Sequence, residues 1–422
     1  MKIAIISLGC AKNFADMEGV LANISRFELA SEEDADVILL NTCGFLKAAR
    51  DEVFQNIKRL RGKKVVILGC LTGKFKESDF AKYKQIFGVV SGANYGKIED
   101  VLRRVIRGEK VYMVSPEPSK FEHTAGKILL MPSRTYAYVK IAEGCNNFCS
   151  YCLIPYLRGR YRSRPINEIV EEVRELVSCG IKEVVLVAQD CGFYGVDLYG
   201  EKRLAQLLER LCEIKGDFWI RVLYVYPERI DDELLSAMTK GGKICKYLDV
   251  PLQHGDRAIL KAMKRPSDIE NVYEKICKIR KAVPGITLRT SLIVGFPGEN
   301  VEAFKNLMKF VRKIDFDHVG VFEYSREKGT PAYELKGQIG KTEKRLRKEQ
   351  VMLLQQGISR RRNEALVGAE VKVLIESDGV GRSERFAPEV DGEIHISGRA
   401  KVGEFAMVKI IGAGEYDLEG EL

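Results

Sequence analysis

Three short runs of branched apolar residues open the chain, and each stops at a cysteine. Lys2–Leu8 leads into Gly9-Cys10, Asp36–Thr42 into Cys43-Gly44, and Lys64–Leu68 into Gly69-Cys70. Near-continuous β-branched runs of this length predict strands buried on both faces, hence a parallel sheet. The cysteines are 33 and 27 residues apart, each interval about the length of a βαβ unit of ~30 residues. Parallel strands connected in this way would deliver all three cysteines to one carboxyl edge, where open α/β sheets build their sites. A free cysteine is often a small core hydrophobe. Three of them in the same position relative to three strands favour a site.

Further apolar runs alternate with helical stretches from Tyr136 onward. The strand candidates are Tyr136–Ile141, Glu183–Ala188, Trp219–Tyr226, Lys246–Val250, Thr287–Val294 and His318–Tyr324. Repetition of this kind predicts parallel βα units with functional loops at strand C-termini. A basic segment, Lys341–Arg362, reads as helix, and short strand candidates follow at Glu370–Glu376, Glu393–Ile396 and Phe405–Ile411.

At 422 residues the chain is too long for one core, and two or three domains are expected. No stretch approaches the ~20 apolar residues of a membrane helix, and the first apolar run is too short for a signal peptide. A cytoplasmic location is therefore expected, with no membrane. Eleven cysteines in a reducing compartment point to metal binding or redox chemistry rather than disulfides. The net charge of +9 permits a nucleic-acid partner without demanding one.

The sharpest motif is Glu143-Gly144-Cys145-Asn146-Asn147-Phe148-Cys149-Ser150-Tyr151-Cys152, with the spacing C-x3-C-x2-C. Cys145, Cys149 and Cys152 could hold three corners of a four-iron cluster and leave the fourth iron open. A zinc knuckle needs four protein ligands, and no His or fourth Cys lies within twenty residues of Cys152. This motif resembles the signature of the radical S-adenosylmethionine (SAM) superfamily. The resemblance implies a central partial (β/α)6 barrel, SAM chelated at the open iron, and reductive cleavage of SAM to a 5′-deoxyadenosyl radical. It further implies that Tyr151 packs near the adenine and that Gln189 and Asp190 meet the methionyl end. In Gly295-Phe296-Pro297-Gly298-Glu299 the glycines would let backbone approach a ligand, and Phe296 would offer an apolar wall. His254 is a candidate group on the substrate side. No side chain is singled out as a catalytic acid or base. Cys179, Cys191, Cys212, Cys245 and Cys277 show no ligand spacing, and Cys191 alone of these is near the expected pocket.

With its N-terminal cysteines, the whole chain resembles the radical SAM methylthiotransferases. Ser7-Leu8-Gly9-Cys10-Ala11-Lys12-Asn13, Asn41-Thr42-Cys43 and Gly69-Cys70-Leu71 are close to that family's motifs. Ala11 replaces a usual proline, and Lys74-Phe75 a usual Arg-Tyr. The resemblance implies a second four-iron cluster on Cys10, Cys43 and Cys70, so two [4Fe–4S] clusters plus SAM. The implied domains are an N-terminal parallel-sheet α/β domain (1–118), the radical SAM core (132–362) and a small antiparallel β-barrel resembling TRAM (363–422).

The segment Gly381–Gly392 is similar to the RimO-type branch, which methylthiolates the β-carbon of an aspartate in ribosomal protein S-twelve. Residues 366–422 carry a net −6, against +15 for the remainder. An acidic rim of Glu384, Glu389, Asp391 and Glu393 suits a basic ribosomal protein better than RNA. The resemblance implies the small ribosomal subunit as partner, an electron donor such as flavodoxin or ferredoxin, a sulfur donor, and a monomeric enzyme. The alternatives are a tRNA adenosine methylthiotransferase of the MiaB type and a non-catalytic iron–sulfur protein that binds RNA or carries electrons.

Overall fold

The computed structural model describes residues 1–115, 135–266 and 268–422; the expected boundaries at 118 and 132 lie outside them. The N-terminal sheet contains β1 (Lys2–Ser7), β2 (Glu28–Leu29), β3 (Val37–Thr42), β4 (Val65–Gly69), β5 (Ile86–Val90) and β6 (Val111–Met113). All neighbours are parallel, in the order β2-β1-β3-β4-β5-β6. Strands β3 and β4 are buried along their whole length. Val37 and Leu39 pack on one face against helix α1 (Ala11–Ala22) and the helix Ile98–Ile106. Ile38 and Leu40 pack on the other face, against the helix Lys47–Arg59. The strand order reverses at β1/β3, so the chain leaves these two strands toward opposite faces and opens a crevice at their carboxyl ends.

The central domain has β7 (Tyr136–Lys140), a two-stranded ribbon of β8 (Ala142–Glu143) and β9 (Arg162–Ser163), then β10 (Glu183–Val187), β11 (Trp219–Val222), β12 (Tyr247–Asp249), β13 (Thr287–Val294) and β14 (His318–Glu323). Parallel strands β11-β10-β7 and β12-β13-β14 are joined by the bridge Ile220–Ile244, giving an open six-stranded βα barrel. The third strand is shorter than expected, because Tyr224 turns into the left-handed region at φ +61°. Alternate residues divide the two faces: Val139, Leu186, Val222 and Leu288 join the core under the helices. Tyr138, Val185, Trp219 and Tyr247 face inward, where Ala15 of α1 and Leu374 and Ala387 of the last domain meet them.

That last domain is a closed barrel of β15 (Glu370–Ser377), β16 (Val380–Ser383), β17 (Ile394–Ser397), β19 (Leu418–Glu421) and β18 (Phe405–Ala413). It is antiparallel, as expected, apart from one parallel pair, β17/β19. The basic segment is a single helix, Lys341–Glu364. Among the described residues, no helix is long and apolar enough to cross a membrane.

Candidate active site

Cys43 and Cys70 follow β3 and β4 directly, Cys10 follows β1 after Leu8 and Gly9, and all three share the carboxyl edge of the sheet. Asn13, 1% exposed, clamps that edge. Its Nδ2 donates to the Leu8 and Thr42 carbonyls, both at 3.0 Å, and its own carbonyl accepts from Asn41 Nδ2. Gly9 has φ +105°, and a Cβ there would stand 3.0 Å from Cys43 Cβ. Gly69 has φ +86°, and a Cβ would lie 2.4 Å from the Thr42 carbonyl. The small residues before Cys10 and Cys70 thus let these loops pack closely. Cys10 begins α1; burial pushes its thiol up, but Lys12, the Asn13 N–H and Arg158 outweigh burial and hold it below the ordinary range. Burial pushes Cys43 up, and Cys70 up to about 11.

The second cysteine set lies within the ribbon β8/β9 rather than directly after β7. Gly144 has φ +81°, and a Cβ would meet the Arg160 carbonyl at 2.1 Å. The Cys145 N–H donates to the Gly159 carbonyl (3.1 Å), so the loop closes on itself. Backbone N–H groups of Asn147 and Ile154 point at Cys145 Sγ (3.5 Å) and Cys152 Sγ (3.4 Å), and Tyr226 Oη lies 3.6 Å from Cys149 Sγ. Burial lifts Cys145 to about 11 and Cys152 to about 12, so neither is a ready nucleophile.

Between the two sets runs a buried polar junction that no local motif announced. Arg158, from the cysteine loop, donates to Cys70 Sγ through Nε (3.1 Å) and Nη2 (2.9 Å). Its Nη1 reaches Asp16 (2.7 Å) and Glu143 (3.1 Å), and Nη2 also reaches Asn13 Oδ1 (2.8 Å). Lys140 pairs with the same two carboxylates. Gln189 Nε2 donates to Glu143 Oε1 (3.0 Å), and Asp190 accepts from Asn147 (3.1 Å). Among the described residues, Gln189 Oε1 and Asp190 Oδ1 are buried with no hydrogen-bond partner, while Asp190 Oδ2 also lies 3.7 Å from Arg229.

Other expected ligand contacts are placed differently. Tyr151 and Phe296 join one apolar cluster, but Phe296 is 0% exposed, its ring edge-on to Tyr324 at 5.2 Å. Its side chain is core beneath the turn rather than a wall. Gly295 has φ +73°, and the space its missing Cβ leaves is filled by Lys344; its N–H is held by Glu299 (2.6 Å). His254 is fully enclosed, with Nδ1 accepting from the Asp256 N–H (3.0 Å) and Nε2 3.6 Å from Glu299. It has no surface to offer a substrate. Cys191 is also fully buried.

Family models match in chain order: an uncharacterised protein family, UPF0004, over residues 2–91, the radical SAM superfamily over 139–311, and the TRAM domain over 367–422. The chain is 42% identical over 444 residues to the ribosomal protein uS12 methylthiotransferase RimO of Acetivibrio thermocellus, covering 100% of this chain and 98% of that protein. It is 42% identical over 440 residues to the RimO of Pelotomaculum thermopropionicum, covering 100% and 99%. The chain belongs to the RimO family of radical SAM methylthiotransferases. In fold it is similar to the radical SAM methyltransferase TsrM of Kitasatospora setae (TM-score 0.58, 14% identity, 90% of this chain and 79% of that one). The cobalamin-dependent SAM radical enzyme OxsB is also similar (TM-score 0.53, 12% identity, 78% and 54%).

For this RimO-family chain, the acidic segment of the TRAM domain is a docking surface within the molecule, not the free rim expected. Glu389 accepts from Tyr136 and Tyr138 (both 2.9 Å). Asp391 accepts from Tyr247 (2.6 Å) and Arg289 (3.2 Å), and Glu384 accepts from the Lys246 N–H (2.9 Å). Beside them Arg382 and Arg221 share the fully buried Glu183. Of the four carboxylates expected to face a partner, only Glu393 makes no contact with the barrel among the described contacts; it is exposed beside His395. Most of that segment's negative charge answers the arginines and tyrosines lining the radical SAM barrel.

Proposed function

We propose that this chain places a methylthio group on the β-carbon of an aspartate in ribosomal protein uS12, with Cys145, Cys149 and Cys152 holding one [4Fe–4S] cluster and Cys10, Cys43 and Cys70 a second. The reading is carried by the 42% identity along the full length to uS12 methylthiotransferases; the buried junction at Arg158, which hydrogen-bonds Cys70 while its own segment closes the Cys145 loop, supports a link between the two cysteine sets.

The donor sets suit clusters. A four-iron cluster takes each thiolate on a different iron, and each set supplies three cysteines, one set at a sheet edge and one in a single loop. The N–H groups aimed at Cys145 and Cys152 favour the thiolate form. Gln189 Oε1 and Asp190 Oδ1, without hydrogen-bond partners among the described residues, offer acceptors for the amino group of SAM, and Tyr151, packed against the apolar cluster of Phe296, is the residue for the adenine side. When bound, the barrel-loop cluster supplies the electron that cleaves SAM, and the N-terminal cluster supplies a site for the sulfur to be transferred. The chain's own residues hold both cysteine sets in fixed register. Asp16 and Glu143 neutralise Lys140 and Arg158, and the apolar contacts of α1 with the barrel exclude water.

The reading implies an electron donor such as flavodoxin or ferredoxin, a separate sulfur donor, action as a monomer, and work in the cytoplasm, where its ribosomal substrate is. Its test is a pair of triple variants, reconstituted without oxygen. Cys145→Ala/Cys149→Ala/Cys152→Ala should lose about four irons per chain and all 5′-deoxyadenosine formation. Cys10→Ala/Cys43→Ala/Cys70→Ala should lose a similar amount of iron, still cleave SAM, and add no methylthio group. Cleavage of SAM by the first variant, or full product from the second, contradicts the assignment.

A further inference from the structure

We infer that Arg158 is a positioning residue that raises the reduction potential of the N-terminal cysteine site through its two hydrogen bonds to Cys70, and that the barrel loop holds it there for that purpose. The inference rests on the two-cluster reading above.

The geometry sets the two cysteine sites apart. Among the described residues, the hydrogen bonds to the barrel-loop sulfurs come from neutral donors: the N–H groups of Asn147 and Ile154 at 3.5 and 3.4 Å, the Tyr226 hydroxyl at 3.6 Å, and the Tyr151 hydroxyl beside Cys149, while the Arg265 charge acts on Cys149 without a hydrogen bond to it. At Cys70 the donor is a guanidinium, charged at any working pH, with two N–H bonds to one sulfur at 3.1 and 2.9 Å. Charge-assisted hydrogen bonds are about twice as strong as neutral ones. Donors to cluster sulfurs also stabilise the more negative, reduced state, and so raise the potential.

The fork has little freedom to turn away. Asp16 and Glu143 hold Nη1, Asn13 shares Nη2, and the side chain is 12% exposed. Two of these holders belong to the N-terminal domain and one to the barrel. Glu143 also bonds Gln189, beside the candidate SAM acceptors. A lysine here would keep the charge but lose the planar fork.

The test uses the full-length chain, reconstituted anaerobically and titrated with EPR detection. Wild type should give two signals, and the triple cysteine variants assign each to its site. In Arg158→Gln, the signal of the Cys10/Cys43/Cys70 site should shift toward harder reduction by about tenfold in its equilibrium constant, which is 59 mV for one electron. The other site should stay within about threefold, and Arg158→Lys should fall between wild type and Arg158→Gln. A second measurement does not depend on how the Arg158 variants fold. Unmodified protein carrying ¹⁵N in its arginine side chains, reduced and examined by pulsed EPR, should show a ¹⁵N coupling on the N-terminal signal alone. An unmoved N-terminal potential, equal shifts at both sites, or no ¹⁵N coupling overturns the role of Arg158. A single signal in wild type overturns the two-cluster reading itself, and the inference with it.

Discussion

A Cβ at residue 144 would have to stand 2.1 Å from the Arg160 carbonyl, at a φ of +81° that other residues rarely adopt. Gly144→Ala should therefore open the cysteine loop while the barrel, whose core lies under the helices, stays folded. The expected outcome is a loss of about four irons per chain, with the far-ultraviolet circular dichroism of the wild type; a full iron content would show that the loop tolerates the side chain. At this scale the sequence was readable where chemistry and spacing coincide. The placement of Cys10, Cys43 and Cys70 at one sheet edge, and of Cys145, Cys149 and Cys152 in one loop, follows from the strand ends and from C-x3-C-x2-C. Arg158 was not readable in this way, because its partners Asp16 and Asn13 lie 142 and 145 residues away and no local pattern links them. Phe296 and Gly295 misled for a related reason. A glycine-rich turn looks the same in sequence whether its open space receives a ligand or, as here, Lys344.

Helix α1 is one element on which the N-terminal domain meets the barrel; the helix Lys47–Arg59 is another, through Arg50 and Glu327. Asp16 lies between Lys140 and Arg158, with its side chain 3% exposed. Removing one partner of such a buried set strands the other charges and costs roughly 3–5 kcal/mol. Asp16→Ala should therefore lower the denaturant midpoint markedly. Asp100→Ala, whose side chain is 64% exposed in its pair with Arg104, should leave the midpoint almost unmoved. Equal effects would mean that the junction contributes nothing.

The TRAM segment carries a pH signature. Burial pushes Asp391 and Asp317 up, but His318 and Arg289 at Asp391, and Arg362 and Arg385 at Asp317, outweigh it and hold both carboxyls below their ordinary range. A carboxyl depressed in the folded state stabilises docking above its unfolded pKa, and that stability is lost as pH falls through the folded value. Trp219, the only tryptophan, reports on this interface, with its ring 4.7 Å from Phe405 of β18. Its emission should hold steady from neutral pH down to about pH 4 and shift to the red below. A red shift beginning above about pH 5 would contradict the role given to these carboxylates. Long β-branched runs announced most of the strands. Strands β2 and β6, of two and three residues, and the glycine- and charge-containing β16 and β19 are held by neighbours rather than by their own pattern, and so left little trace in the sequence.

Charge, read over the whole molecule, pointed to an acidic rim waiting for a basic protein, and the folded chain uses most of that rim on itself. Changing Glu384, Glu389 and Asp391 to Lys should therefore undock the TRAM barrel, seen as a red shift of Trp219 emission at neutral pH. Unchanged emission would restore the free-rim view. The protein-substrate reading now stands on similarity along the full length of the chain to uS12 methylthiotransferases. The measurement that tests it most directly is the mass of purified ribosomal protein uS12, free or in the small subunit, after incubation with the reconstituted, reduced chain and SAM. The expected result is one SCH3 group in place of one hydrogen, located by fragmentation on the β-carbon of a single aspartate. An unchanged uS12, with adenosine in tRNA from the same incubation gaining the group instead, would contradict it.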